Sequence, residues 1–217
     1  MLILEIVGMK QNKIFVVGLT GNIGSGKSTV SNILREKEIP IIDADLISRE
    51  VLIKHPKLLK DIMNSFGNEY FDSNGNLLRK KLGNLIFSNN EKKIQLEDML
   101  LPFIIRDIFD KIEEYDKKGF EFCIVDAPTL IENNLHFYMD AVILVTVERD
   151  VQIQRVATRD SLNLEDVMKR INSQISQDKK IKMADFIIDN NKSLYNTKIQ
   201  VEQILNEMKI LRGKNVN

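Results

Sequence analysis

Five short apolar runs stand out along the chain: residues 14–19 (Ile-Phe-Val-Val-Gly-Leu), 39–43, 122–126, 141–145 and 186–189. Each is continuous rather than alternating, and three of them close on an aspartate. A strand that is apolar at every position is buried on both faces, which is the pattern of a parallel sheet covered by helices. The intervals between the runs carry apolar residues at helical spacing, as with Val30, Ile33 and Leu34 after the first run. Alternating strands and helices predict a doubly wound α/β fold with a five-stranded parallel sheet. Ligands in such folds bind beyond the carboxyl ends of the strands.

Two intervals are too long for simple crossovers. Residues 54–119 offer no strand and read as helices, interrupted at Gly67 and at Ser73-Asn74-Gly75, with a long one near 91–115 that carries Pro102. The expectation is an inserted helical subdomain. Residues 149–183 are helical, polar and rich in Arg and Lys, and are expected to form a lid. One domain over 13–217 is expected, with its core at about 13–53, 120–148 and 184–211, preceded by a weakly ordered extension over 1–12.

Composition narrows the class. The chain has 217 residues, 43% of them hydrophobic, with Lys+Arg and Asp+Glu equal at 31 each. That balance advertises no broad nucleic-acid surface. No run is long and apolar enough to span a bilayer. The single cysteine, Cys123, excludes a disulfide framework, reads as a core residue and points to a reducing cytoplasm. His55 and His136 are isolated and read as surface residues.

The chemistry is concentrated after the first strand. Gly21-Asn22-Ile23-Gly24-Ser25-Gly26-Lys27-Ser28 fits G-x-x-x-x-G-K-[ST], the phosphate-binding loop of nucleotide enzymes, followed by Thr29 in the first helical turn. Glycines let backbone N–H groups converge on an anion, and the helix adds its positive N-terminal end. Lys27 is expected to reach the β- and γ-phosphates, and the Ser28 hydroxyl to bind Mg²⁺. Asp126, ending the third strand, matches the carboxylate that supports Mg²⁺ or its water shell. Asp43 and Asp45 end the second strand, on one side if the extension continues, and a carboxylate there could orient an acceptor hydroxyl and take its proton. The alternative is a strand-end turn with Asp45 capping the next helix. Arg155 and Arg159 share one face of a helix and could close over a transferring phosphoryl group, with Arg170 and Lys179 following. They could equally form a solvated basic face paired with Asp160, Glu165 and Asp166. Glu132 could face substrate or solvent.

Together these segments resemble the dephospho-coenzyme A kinase family over about 14–190. The resemblance rests on Gly18-Leu19-Thr20-Gly21 before the loop, Asp43-Ala44-Asp45-Leu46-Ile47-Ser48-Arg49, then Gly75, Arg79, Leu82-Gly83, Leu96-Glu97 and Pro102. It continues through Asp126-Ala127-Pro128-Thr129-Leu130-Ile131-Glu132, Gln152, Arg155, Arg159, Arg170-Ile171, Gln174, Lys179, Ala184-Asp185 and Ile188-Asp189-Asn190. The resemblance implies a P-loop nucleoside-triphosphate hydrolase-like fold with a helical CoA-binding insertion and a lid. It implies transfer of the ATP γ-phosphate to the ribose 3′-hydroxyl of dephospho-CoA, with Mg²⁺, as the last step of coenzyme A synthesis. In that reading Asp45 is the general base, Lys27 the phosphate clamp, and Arg155 or Arg159 the lid arginine. Thr20, Asp45, Arg49, Arg79 and Glu132 become candidate contacts to dephospho-CoA, and Asn190 and Asn191 fall where the family holds adenine. Partners are then small molecules, with no nucleic acid or membrane, and the chain is a monomer or small homo-oligomer.

Four positions depart from the family pattern: Asn22 replaces a second Gly, Leu78 an Asp, Leu101 a His before Pro102, and Lys192 a Gly. Asn tolerates positive φ better than most residues, so Asn22 is expected to keep the loop's shape. Another metabolite kinase of the same fold, or a non-catalytic nucleotide sensor, remain rival readings. A GTP switch is disfavoured, because Asn191-Lys192-Ser193-Leu194 lacks the aspartate of the guanine-reading N-K-x-D.

Overall fold

The computed structural model describes residues 14–215; the extension expected at 1–12 lies outside the described residues. The described chain forms two compact units, one of residues 44–110 and one of residues 14–43 with 111–215.

The larger unit is built on a five-stranded sheet: β1 (Phe15–Gly21), β2 (Ile41–Asp43), β3 (Phe122–Asp126), β4 (Ala141–Thr146) and β5 (Phe186–Asp189). The strand order is β2-β3-β1-β4-β5, and every pairing is parallel. Every residue of β1, β3 and β4 is buried, which is why their sequences are apolar without alternation. One face packs on α1 (Lys27–Glu36) and on the C-terminal helix Leu194–Asn215, with Val17, Leu19, Ile33, Leu34, Ile143, Val201 and Met208 in one core. Burial of each such side chain is worth about 1.5–3 kcal/mol.

Register places the functional strand ends together. Leu19 pairs with Asp126, Asp126 with Asp43, Gly21 with Val145, and Thr146 with Asp189. The carboxyl end of central β1 therefore opens between β3 and β4, where the chain turns to opposite sides of the sheet.

β2 is shorter than expected. It ends at Asp43, and α2 (Ala44–Lys54) begins at the next residue. The extended alternation that would have put Asp43 and Asp45 on one side is thus absent. Asp45 lies instead in the first turn of α2, where a carboxylate suits the helix dipole.

The smaller unit is all helical apart from one bridge between Phe71 and Leu77. α2, α3 (Lys57–Phe66), α4 (Arg79–Ser88) and the first part of α5 (Asn90–Lys117) enclose Val51, Leu52, Leu58, Ile62, Phe66, Leu82 and Leu96. The breaks expected at Gly67 and at 73–75 are real. Gly67 ends α3 at φ 107°, and Gly75 turns the chain at φ 79°. In that turn the Asp72 carboxylate accepts the N–H groups of Asn74 and Asn76 at 2.9 and 2.8 Å. Residues 44–53, expected in the core, fall in this unit. His55 is not a surface residue: its Nε2 lies 3.0 Å from the buried Asp107 carboxylate, which also takes Lys54, and its ring packs on Phe103.

Cys123 is fully buried in β3. Burial, with the Asp140 and Asp116 carboxylates nearby, pushes its thiol up to about 12. The reactive thiolate is therefore almost absent at pH 8. The native protein should leave a disulfide reagent such as DTNB unreacted at pH 8 and release one equivalent of thionitrobenzoate after denaturation. Rapid reaction of the native chain would contradict this.

Candidate active site

The loop between β1 and α1 is bent by glycines that nothing else could replace. Gly24 and Gly26 adopt φ 79° and 86°. A Cβ on Gly24 would meet Val156 Cγ2 at 2.8 Å and the Gln152 carbonyl at 3.0 Å, and one on Gly26 would meet Asn190 Nδ2 at 2.0 Å. The loop is thus closely enclosed by its neighbours.

Asn22 plays a different part from the one expected. It is absent from the positive-φ residues, so its tolerance of that region is not what the loop uses. Its side chain is buried and donates from Nδ2 to the Ile175 carbonyl at 2.9 Å. Beside it, the Ile23 N–H donates to Gln174 Oε1 at 2.8 Å, and Gln152 Nε2 donates to the Ile23 carbonyl at 2.8 Å.

At the mouth of the loop, Lys27 Nζ is ion-paired with Asp126 Oδ1. The other carboxylate oxygen accepts from Ser31 Oγ. Ser31 was not foreseen; it stands one helical turn after Lys27 on the same face of α1, which is the signal that could have found it. Ser28 and Thr29 lie in the first turn of α1, with Ser28 exposed. Among the described residues no three His, Cys, Asp or Glu side chains gather as a metal cage.

The segment expected as a lid folds as α6 (Arg149–Asp160), α7 (Leu164–Asn172) and α8 (Gln177–Ile181). Val156, Val167 and Ile171 are buried together and pack on Ile23 of the loop. Arg155 turns inward: its Nη2 donates to the Asn190 carbonyl at 3.0 Å, and Nη1 reaches the Ser25 carbonyl at 3.4 Å. Arg159 turns outward and forks onto Asp160 at 2.8 and 3.0 Å, and Arg170 joins the same carboxylate at 2.8 Å. The Arg159 guanidinium, with Arg170 beside it, holds the Asp160 carboxyl below its ordinary range. A cleft of about 850 Å³ lies between the loop and α6, lined by residues 21–28 and by Pro128, Gln154, Arg155, Thr158, Arg159 and Gln174.

Two residues named from the sequence, Thr20 and Glu132, are held by protein groups here. Thr20 is fully buried, and its hydroxyl donates to the Pro128 carbonyl at 3.1 Å, so it faces protein. Glu132 is ion-paired at 2.7 Å with Lys180, which has no exposed surface, so it is neither solvated nor free for a ligand. Lys179, named from the sequence, is exposed, whereas its neighbour Lys180 is the buried one. The asparagines after β5 are also engaged. Asn191 accepts from the Glu148 N–H at 2.7 Å and donates to Asp189. Asn190 is buried and donates to the Ser25 carbonyl at 2.8 Å. In the helical unit, Asp45, Arg49 and Arg79 are exposed, and Arg79 Nη2 donates to the Arg49 carbonyl at 3.2 Å.

A parallel sheet in this order, a glycine-bent loop running into α1, a lysine and a strand-end carboxylate at its mouth and an arginine-bearing helix beside it define a P-loop kinase. The family model for dephospho-CoA kinase matches residues 15–196. The chain belongs to the dephospho-CoA kinase family. It is 44% identical to a dephospho-CoA kinase of Clostridium perfringens over 87% of this chain and 95% of that one. Its fold is similar to a protein of Thermus thermophilus known from a crystal structure, with TM-score 0.76 and 28% identity over 89% of this chain and 97% of that one. It is also similar to dephospho-CoA kinase from Campylobacter jejuni, with TM-score 0.68 and 29% identity over 89% and 96% of the two chains. Among the described residues no helix is long and apolar enough to cross a membrane.

Proposed function

We propose that this chain transfers the γ-phosphate of ATP to the ribose 3′-hydroxyl of dephospho-CoA, giving coenzyme A and ADP. The carrying observation is the Lys27–Asp126–Ser31 cluster at the mouth of the glycine-bent loop, in a chain of this family. Phosphoryl transfer asks a protein chiefly to position the reactants and neutralise charge. The loop N–H groups and the start of α1 would bind the triphosphate, and Lys27 would move from Asp126 onto the β- and γ-oxygens. The acceptor oxygen bonds to the γ-phosphorus as its proton passes to Asp45, and the bond to the ADP oxygen breaks. Arg155 lies on the loop and Arg159, on Asp160 in this structure, also lines the cleft; in this reading both would turn toward the developing charge. Arg49 and Arg79 form a paired basic site suited to the phosphates of the CoA-side substrate.

The residues also suit Mg²⁺. Ser28 offers an exposed hydroxyl in the first turn of α1, and Asp126 one strand-end carboxylate. A site without a three-carboxylate cage fits an ion that arrives with phosphates and waters. When bound, Mg²⁺ would supply charge neutralisation to the triphosphate.

A coupled ADP-release assay with dephospho-CoA, adenosine, AMP and shikimate tests the reading. Turnover is expected with dephospho-CoA, and its absence in a chain that binds ATP would overturn the acceptor assignment. Asp45→Asn should lower kcat by about 10²–10⁴-fold while ATP affinity is retained. A matching loss of ATP affinity would make Asp45 a nucleotide or metal ligand instead.

A further inference from the structure

We infer that Asn190, held by Thr197 of the C-terminal helix Leu194–Asn215, is a positioning residue for the phosphate loop and does not read the nucleobase. The inference rests on the reading of that loop as a triphosphate site. Every polar group of Asn190 is used inside the protein. Its N–H donates to the Thr146 carbonyl at 2.9 Å and extends the sheet ladder. Its carbonyl accepts from Arg155 Nη2 at 3.0 Å. Its Nδ2 donates to the Ser25 carbonyl at 2.8 Å, and its Oδ1 accepts from Thr197 Oγ1 at 3.0 Å. Asn190 is 6% exposed and Thr197 is 0% exposed. A carboxamide committed at both ends and shielded in this way has no edge to offer a base.

What it does instead follows from peptide geometry. The Ser25 carbonyl and the Gly26 N–H belong to one planar trans unit and point in opposite directions. Drawing the Ser25 oxygen toward Asn190 and Arg155 turns the Gly26 N–H the other way. That amide opens α1, where unpaired N–H groups meet an anion. Gly26 has room for this only because it lacks a Cβ, and the Asn190 carboxamide fills that space. The Ser25 carbonyl can only accept, so it takes the Nδ2 end of the carboxamide, and the Thr197 hydroxyl donates to the Oδ1 end and steadies it. The C-terminal helix thereby sets a peptide plane in the catalytic loop.

The test is equilibrium binding of MgATP and of inorganic tripolyphosphate, which has no base, to the full chain, with melting temperatures alongside. Asn190→Ala should weaken both ligands by a similar factor, about ten-fold, as expected for one lost hydrogen bond. Thr197→Val should weaken both in the same proportion by a few-fold, and Thr197→Ser should behave as the parent. If Asn190→Ala does not fold, the Thr197 pair carries the test. Loss of ATP affinity with tripolyphosphate unchanged would show a base contact and overturn the inference. So would a lowered melting temperature with both affinities intact. Failure of the parent chain to bind ATP would instead sink the nucleotide reading itself.

Discussion

Lys27→Met should lower kcat/KM for ATP by about 10²–10³-fold in steady-state assays, with the fold retained by circular dichroism. The lysine Nζ is the cation at the mouth of the loop, where it lies on Asp126 with only 17% of its side chain exposed. In a site shielded to that degree a point charge acts on phosphate oxygens more strongly than it would in water. Methionine keeps the length and apolar stem and removes only the charge. Lys27→Arg is not a conservative change, because a planar fork does not reproduce the compact point charge of an ammonium. Ser31→Ala is the graded companion. It removes one donor from Asp126 but leaves Lys27, so its loss should be about ten-fold or less. A loss below about ten-fold for Lys27→Met would mean the loop backbone and Mg²⁺ suffice, and Lys27 would no longer be the phosphate clamp.

Lys180→Met should destabilise the protein by about 3–5 kcal/mol, the cost of breaking a buried ion pair. Both Glu132 carboxylate oxygens are buried beside Lys180, which has no exposed surface, so water does not relieve the charge left behind. In a chain of this size that is a fall of about 6–20 °C in melting temperature. The second change Glu132→Gln, made in the Lys180→Met background, should recover most of the loss, since it removes the unpaired charge. A single variant that melts within a degree or two of the parent would show the pair to be energetically neutral. Lys180 also points at the Pro128 carbonyl, 3.4 Å away, the same oxygen that accepts the Thr20 hydroxyl. The lysine therefore joins α8 to the turn that follows Asp126.

Both positions show what a linear reading could reach. The loop was legible because its function is set by spacing within eight residues, and the strands because a sheet buried on both faces leaves continuous apolar runs. β2 was the exception. Ile39 and Pro40 lie outside it, yet the Pro40 carbonyl still accepts from the Ile124 N–H, so the apolar run continued past the strand's own limit. Ser31, Lys180 and Thr197 were missed for a common reason. Ser31 meets Asp126 across 95 positions, and Lys180 meets Pro128 across 52. Thr197 bonds to Asn190, whose own partner Ser25 is 165 positions away. That Lys180 rather than Lys179 is buried depends on the phase of α8, whose five residues are too few to show a period. Asn190 and Asn191 were read as contacts to adenine, and their carboxamides are bonded within the protein; spacing does not reveal which atoms a carboxamide has already spent.

Asp160 has a consequence for how the arginines are deployed. Arg159 and Arg170 are 60% and 52% exposed, and they share one carboxylate at the end of α6. Exposed pairs of this kind contribute little to stability and weaken as salt rises, whereas guanidinium–phosphate forks are stronger. In the proposed reaction the aspartate would be a berth: it holds two cations together and would yield them to a better acceptor at small cost. Changing residue 160 would alter how readily the arginines are handed over, and leave the sheet that carries them untouched.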